Sequence, residues 1–324
     1  MNIGHLLTRA AQRYPNRSAW VQGDRSIPFW KAEERVNRLA NNLISLGGRP
    51  GDRVGMLLPN CYQGLETILA PMKARMAVVP MNIKLKPQEH QYLLNNSEAS
   101  TLIYSEEFKS HLDEIRAGLN TTKHFICLGN NINGDLSYEE LVESASPSPP
   151  DVLVAQDDLA WIFYTSGTTG QPKGAMLTHR NLLTMVNNFL LDINPATPSD
   201  VLLHAAPITH GSGLSMFHQL ARGAANAFPI TGSFDPERIF AAIQQYRVTT
   251  MFLAPTMVNM LVANPNKESY DLSSLHTIIY GGSPMYTEHL LEALRTFGPI
   301  FVQLFGLGEA PMTITSLPKE EHLA

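Results

Sequence analysis

Apolar positions along this chain follow two rhythms that keep alternating. Ile3, Leu6, Leu7, Ala10 and Ala11 fall at helical spacing and predict an amphipathic helix over residues 2–13. Val36, Leu39, Ala40, Leu43 and Ile44 repeat that spacing, with Gly47 as the stop. Short apolar runs come between such segments. Arg53 to Leu58, Ala77 to Pro80, Thr101 to Tyr104 and Lys123 to Leu128 read as strands, and helices are expected over 60–73 and from Pro87. Ser137 and Glu140 stand at capping-box spacing before a short helix. Leu159 to Tyr164 is a further buried strand, followed by a helix over 179–193 and a strand at Val201 to Leu203. Asp235 and Pro236 mark a helix start, as N-cap and first position, running to Tyr246. Strands at 249–253, 276–280 and 300–304 alternate with helices at 256–263 and 285–297. Such alternation predicts an α/β fold of mostly parallel sheets with helical crossovers. Ser146-Pro147-Ser148-Pro149-Pro150 reads as a surface connection within this pattern, not as a boundary between independent domains.

Composition narrows the class. With 324 residues, 44% of them hydrophobic, the chain can build a large core or two lobes. A net charge of -5 without a long basic run argues against a nucleic-acid surface. Cys61 and Cys127 are too few for a disulfide framework or a metal cluster, which fits a reducing cytoplasm. No apolar run approaches the roughly 20 residues that span a bilayer, and no signal-peptide profile opens the chain.

The candidate chemistry is concentrated after the strand at 159–164. Tyr164-Thr165-Ser166-Gly167-Thr168-Thr169-Gly170-Gln171-Pro172-Lys173-Gly174 combines hydroxyls, glycines and one lysine. Glycines let several backbone N–H groups face one point, hydroxyls add short donors, and the lysine adds a mobile positive charge. Such a loop suits a polyphosphate. Most serine- and threonine-rich loops only join two strands. A Walker A loop needs Gly-Lys-Ser/Thr in succession, whereas Pro172 precedes Lys173 and Gly174 follows it.

The stretch resembles the phosphate-binding signature of the adenylate-forming superfamily, Tyr-Thr-Ser-Gly-Thr-Thr-Gly-x-Pro-Lys-Gly, at every fixed position. That group includes acyl- and aryl-CoA synthetases, luciferases and the adenylation domains of peptide synthetases. Tyr280-Gly281-Gly282-Ser283-Pro284 resembles its Gly-Gly-Ala/Ser-Pro segment. Gln303-Leu304-Phe305-Gly306-Leu307-Gly308-Glu309 resembles its Gln-x-Tyr-Gly-x-Thr-Glu. Phe305 keeps a ring where tyrosine is usual, whereas Gly308 loses the usual threonine hydroxyl and its donation toward the α-phosphate. Arg75 stands where many members carry glycine.

The resemblance covers nearly the whole chain and implies an acetyl-CoA synthetase-like fold of two stacked α/β lobes. It also implies the N-terminal part of a fatty-acyl or long-chain acyl-CoA synthetase. Such an enzyme uses ATP, Mg²⁺ and coenzyme A to turn a carboxylic acid into an acyl-adenylate and then a thioester. On this basis Thr165, Ser166, Gly167, Thr168, Thr169, Gly170 and Lys173 are expected to cradle the phosphates. Gly281, Gly282, Ser283, Phe305 and Gly306 are expected to border adenine, and Thr165 and Glu309 to hold Mg²⁺. Thr165, Lys173 and Glu309 are the catalytic candidates. His210, Gly211, Tyr280 and Gly281 are expected to border the acid, with His210 a pocket residue, not a proton carrier. A histidine in a glycine-bearing loop, Thr209-His210-Gly211-Ser212-Gly213, is otherwise about as often a structural residue. Two other readings stay open: an adenylating enzyme with a carrier-protein thiol or an oxygen acceptor, and a non-catalytic nucleotide- or acyl-binding protein.

The resemblance also implies that residues 1–324 are an adenylation domain incomplete at its C-terminal end. The family's ribose-binding Thr-Gly-Asp segment and its small lid with a catalytic lysine are not in the sequence. An apolar face left by those parts would favour self-association, with a homodimer as one form. Without the ribose anchor, a displacement of ~1 Å can cost on the order of 100-fold in rate. The expected outcome is that residues 1–324, supplied with ATP, Mg²⁺, coenzyme A and a panel of fatty and aromatic acids, give no multiple turnover of acyl-CoA. Sustained turnover, followed by loss of free thiol, would overturn it.

Overall fold

A computed structural model describes residues 2–130, 134–165, 170–230 and 234–323. In chain order the first elements are α1 (His5–Arg13), β1 (Ser18–Gln22), β2 (Arg25–Pro28), α2 (Phe29–Ser45), β3 (Arg53–Leu57), α3 (Tyr62–Lys73), β4 (Ala77–Pro80) and α4 (Pro87–Asn96). They continue with β5 (Ala99–Ser105), α5 (Lys109–Ile115), β6 (His124–Leu128), β7 (Leu136–Ser137), α6 (Tyr138–Ser144), β8 (Leu159–Thr165), β9 (Lys173–Thr178) and α7 (His179–Asn188). The remaining stretch holds β10 (Val201–Leu203), α8 (Gly211–Arg222), β11 (Ala225–Phe228), α9 (Pro236–Tyr246), β12 (Thr250–Leu253) and α10 (Pro255–Ala263). It closes with β13 (Thr277–Tyr280), α11 (Thr287–Phe297), β14 (Phe301–Phe305) and β15 (Thr315–Leu317).

The chain divides into two compact units, one of residues 1–8, 30–59 and 63–183, the other of 9–29, 60–62 and 184–324. The first contains a seven-stranded sheet in the order β7-β6-β5-β3-β4-β8-β9. It is parallel except at the β8–β9 hairpin. Leu57, Leu93, Leu94, Leu102, Leu112 and Ile115 form one of its cores. The second contains an eight-stranded sheet, β15-β14-β13-β12-β10-β11-β1-β2, antiparallel only at its outer pairs. Leu203, Ile239, Phe240, Leu253, Leu261 and Phe301 lie in its core.

Several local signals act as their chemistry predicts. Ser137 accepts from the Glu140 N–H at the start of α6, and Asp235 from the Arg238 N–H ahead of Pro236. The Ser-Pro segment lies within the first unit, where Asn37 and Asn41 of α2 donate to the carbonyls of Pro147, Ser146 and Ser148. The helix expected over 179–193 is α-helical only to Asn188 and continues as a π-helical turn to Ile193. Strands β1, β2 and β11 are new relative to the sequence pattern. The first two are short and hold Ser, Gln and Arg among their apolar positions, and β11 has four residues.

Arg75 explains its own departure from glycine. Its φ is +60°, in the left-handed region, which costs a side-chain-bearing residue about 1–2 kcal/mol. Its guanidinium pairs in two places with Asp158, at 2.9 and 3.3 Å, while its carbonyl accepts from Gly51 N–H.

A buried ion cluster ties the first unit together away from its sheet. Glu66, with no exposed surface, accepts from Arg35 at 2.7 and 3.0 Å and from the Tyr138 hydroxyl at 2.9 Å. Burial pushes the Glu66 carboxyl up, and Arg35 and the Tyr138 hydroxyl pull it back. Removing Glu66 leaves Arg35 its second carboxylate, Glu139 at 3.0 Å, but takes the 2.9 Å acceptor from the buried Tyr138 hydroxyl. Glu66→Ala is therefore expected to lower the unfolding free energy by about 1–3 kcal/mol in urea titration, the scale of a buried polar group that loses its partner. An unchanged unfolding free energy would show that Glu66 contributes nothing beyond what Glu139 supplies.

Candidate functional site

In the first unit, the hydroxyl- and glycine-bearing stretch closes the β8–β9 hairpin. Thr165 and Lys173 are the last register pair before the turn, with Tyr164 opposite Gly174 and Phe163 opposite Ala175. Ser166, Gly167, Thr168 and Thr169, all named as phosphate ligands from the sequence, lie outside the described residues. Gly170 has φ +91°, where a side chain would be strained. Both feet of the turn are fastened to α4. The Tyr164 hydroxyl donates to Asn96 Oδ1 at 2.6 Å, and the Tyr92 hydroxyl donates to the Pro172 carbonyl at 3.2 Å. Burial pushes the Tyr164 phenol up to about 12, so it stays a donor at neutral pH. Lys173 is exposed, and its ammonium has no hydrogen bond or ion pair among the described residues. Its charge is therefore available to an anion.

In the second unit, parallel strands bring loop starts to one sheet edge. Leu253 pairs with Tyr280, and Tyr280 with Gln303, so Ala254, Gly281 and Leu304 follow side by side. Gly281 N–H donates to the Leu253 carbonyl at 3.3 Å. Gly282 and Ser283 are exposed. Tyr280, named with Gly281 as bordering the acid, turns its side chain inward. Its ring is buried edge-on to Phe301, and its hydroxyl pairs with His322 Nε2 at 3.0 Å, leaving the backbone as the part at the edge. Phe305 ends β14 with its ring half exposed, and Ile314 N–H donates to its carbonyl. Leu307 N–H donates to the Ala310 carbonyl at 3.0 Å, closing a turn that holds buried Gly308 and exposed Glu309. Gly306 lies in the same connection.

His210 is not in a loop followed by glycines, because those glycines begin α8. Gly213 comes so close to the Ile208 carbonyl that a β-carbon would collide with it, so glycine permits this tight helix entry. His210 is the residue before α8, its Nδ1 paired with Thr209 Oγ1 at 2.8 Å. Burial lowers its pKa, which favours the neutral ring and suits a wall better than a charge carrier. The approach to α8 is held by Asn60, which sequence reasoning passed over. Its amide donates to the carbonyls of His204 and Ala206 at 2.9 and 2.8 Å, and its oxygen accepts from Ile208 N–H at 3.0 Å. An asparagine just after Leu57-Leu58-Pro59 is the one signal that could have marked it.

The metal candidates fit a hard cation in kind. Thr165 offers a hydroxyl and Glu309 a carboxylate without a hydrogen bond or ion pair among the described residues. Among those residues no group of three or more His, Cys, Asp or Glu could hold a metal. Such a sparse donor set suits Mg²⁺, which is usually bound by one or two protein oxygens together with substrate phosphates.

The family model described as AMP-binding enzyme matches residues 7–324. A feruloyl-CoA synthase from an Amycolatopsis species is 36% identical over 322 residues, covering 99% of this chain and 62% of that protein. The medium/long-chain fatty-acid–CoA ligase FadD8 of Mycobacterium tuberculosis is 30% identical, covering 98% of this chain and 57% of its own length. Among solved structures, the N-terminal domain of FACL13 from Mycobacterium tuberculosis superposes with a TM-score of 0.90 at 26% identity. That match covers 100% of this chain and 80% of the FACL13 domain. The chain thus spans about three fifths of the length of the two curated relatives.

Three buried histidines give the fold a pH dependence. Burial pulls His179 down to about 4, His204 to about 4 and His218 to about 3. A histidine with a folded pKa below its unfolded value of about 6.5 contributes stability that is complete above that value. The contribution is lost as pH falls toward about 4. Asp158 and Asp200, both lowered, titrate below this window, and Glu66 acts in the opposite sense. The urea midpoint is expected to fall between pH 7.5 and 5, and to fall less in a folded His218→Leu variant. Equal pH slopes for the two proteins would contradict this assignment.

Proposed function

This chain belongs to the AMP-binding enzyme family, and on that premise we propose that it carries nucleotide- and acid-binding machinery of an AMP-forming acid–CoA ligase. In the first step a carboxylate oxygen attacks the α-phosphorus of ATP. The bond to the bridging oxygen breaks, and pyrophosphate leaves with the electron pair. In the second step the coenzyme A thiolate adds to the acyl carbon, and the carbon–oxygen bond to AMP breaks. The bridging oxygen leaves in pyrophosphate, one carboxylate oxygen of the acid ends on the phosphate of AMP, and the acyl group and the thiol sulfur form the thioester.

Within this reading Lys173 and the Thr165 hydroxyl act on the phosphates, and their sequence neighbours Ser166, Gly167, Thr168 and Thr169 share that role. Gly281, Gly282 and Ser283 offer backbone to a flat ring, and the exposed Phe305 ring offers a stacking surface. His210 and Gly211 border the acid as neutral walls. Bound Mg²⁺, held through Thr165 and Glu309, would offset negative charge on phosphate oxygens. Positioning and charge neutralisation are the main sources of catalysis in such transfers.

The carrying observation is the Thr165–Lys173 register pair, which holds at the foot of the signature turn a lysine without an ion pair among the described residues. The acid is a carboxylic acid, and its class is open to two readings. A fatty acid is favoured by likeness to FadD8, an aromatic acid by the higher identity to the feruloyl-CoA synthase. A carrier-protein thiol or an oxygen remains the rival acceptor. A cytoplasmic setting belongs to the same reading and is supported by two buried cysteines that form no disulfide among the described residues. Lys173→Ala is expected to weaken Mg-ATP binding by about 1.5–3 kcal/mol, the scale of a charge-assisted hydrogen bond. Calorimetry giving an unchanged ATP affinity would refute the phosphate role. Acid-dependent exchange of labelled pyrophosphate into ATP, run with decanoate and ferulate, tests the reaction and discriminates the two acid classes.

A further inference from the structure

A second polar cluster lies beneath the entry to α8, and no role in the reaction described above requires it. His204 follows β10 and has no exposed surface. Its Nδ1 lies 2.8 Å from Ser212 Oγ, and its Nε2 lies 3.0 Å from Asn226 Oδ1 in β11. Ser212 is the second residue of α8, and both Ser212 and Asn226 are fully buried. The His204 ring also stacks on Phe228, with centroids 4.9 Å apart. An amide oxygen only accepts, so His204 Nε2 donates to Asn226. Its Nδ1 then keeps a lone pair that accepts from the Ser212 hydroxyl. The ring is thereby a fixed strut between the end of β10, the strand β11 and the first turn of α8.

That first turn is where His210 and Gly211 sit. The His210 carbonyl accepts from Gly213 N–H at 3.1 Å and from Leu214 N–H at 3.3 Å. Asn60 fixes the chain from His204 to Ile208 on the other side. A buried hydrogen-bonded network is stiff and costly to break in part, because each buried group left unpaired loses its solvation. We propose that His204 is a positioning residue: through Ser212 and Asn226 it fixes the first turn of α8, and with it the placement of His210 and Gly211 against the acid. The acid-binding part of this statement rests on the functional reading above. The strut itself does not.

The test uses the 324-residue chain with isotope-labelled histidines. Long-range nitrogen–proton spectra should show His204 as the neutral Nε2–H tautomer. In Ser212→Ala the His210 ring signals, assigned by their loss in His210→Phe, should shift while the melting temperature stays near that of the parent chain. With a non-hydrolysable ATP analogue present, the Kd for ferulate or decanoate should rise about tenfold, with ATP-analogue affinity unchanged. Ser212→Thr, which keeps the hydroxyl, should restore both readouts. If Ser212→Ala does not fold, Asn226→Ala removes the other partner and is read in the same way. A folded variant with unmoved His210 signals and unchanged acid affinity overturns the proposal. Shifted His210 signals in a chain that binds neither acid would uphold the strut and overturn the functional reading instead.

Discussion

Parallel strand pairing is the constraint on which the second unit's candidate residues depend. A parallel sheet places the carboxyl end of every strand at the same edge, so loops far apart in sequence become neighbours. Here that edge receives the segment after β10 with His210, the turn after β13 with Gly281 to Ser283, and the turn after β14 with Glu309. The register Leu253–Tyr280–Gln303 sets their relative heights within a few ångströms. No single loop needs to carry a complete site, because the sheet supplies the alignment. In the first unit an antiparallel exception does comparable work. The β8–β9 ladder reverses the chain at Thr165 and returns it at Lys173, and two tyrosine hydroxyls fasten the reversal to α4.

Buried polarity is distributed differently in the two units. The first unit places charge inside, as Glu66 between Arg35 and Tyr138 and as Lys73 between Glu33, Thr8 and Asn37. The second unit places neutral donors and acceptors around one helix, with Ser212, Ser215, His218 and Gln219 all buried on α8. Ion pairs tolerate small displacements, since Coulomb attraction falls slowly with distance, whereas hydrogen bonds weaken steeply with angle. A helix whose start must be held to a fraction of an ångström is better served by the second kind. The polar stretch of α8 that is buried from Ser212 to Leu220 is consistent with that demand.

Much of this was legible in the sequence, and the reasons differ from residue to residue. Asp235-Pro236 and the apolar run before Tyr164 announced their elements because caps and buried strands have local signatures. The Thr165–Lys173 turn was legible because its hydroxyls, glycines and lysine are contiguous in the sequence. Strands β1 and β2 were not, since edge-proximal strands mix Ser, Gln and Arg with few apolar positions. The burial of the Tyr280 side chain and the roles of Asn60 and His204 were also hidden. Tyr280 and Asn60 depend on partners 42 and 144 residues away, and His204 on partners 8 and 22 residues away across a strand-to-helix connection, none of which is written in local spacing.

Arg75 carries a consequence for how this sequence can drift. A glycine in a left-handed turn is a free-standing choice that commits no other residue. An arginine there is conditional on Asp158, which offsets the conformational cost and itself accepts from Ala155 N–H ahead of β8. Loss of Asp158 would therefore leave a strained backbone and an undressed strand entry together. The two positions are therefore coupled: a change at Asp158 is felt at Arg75, whereas a glycine at 75 would free the aspartate from that duty.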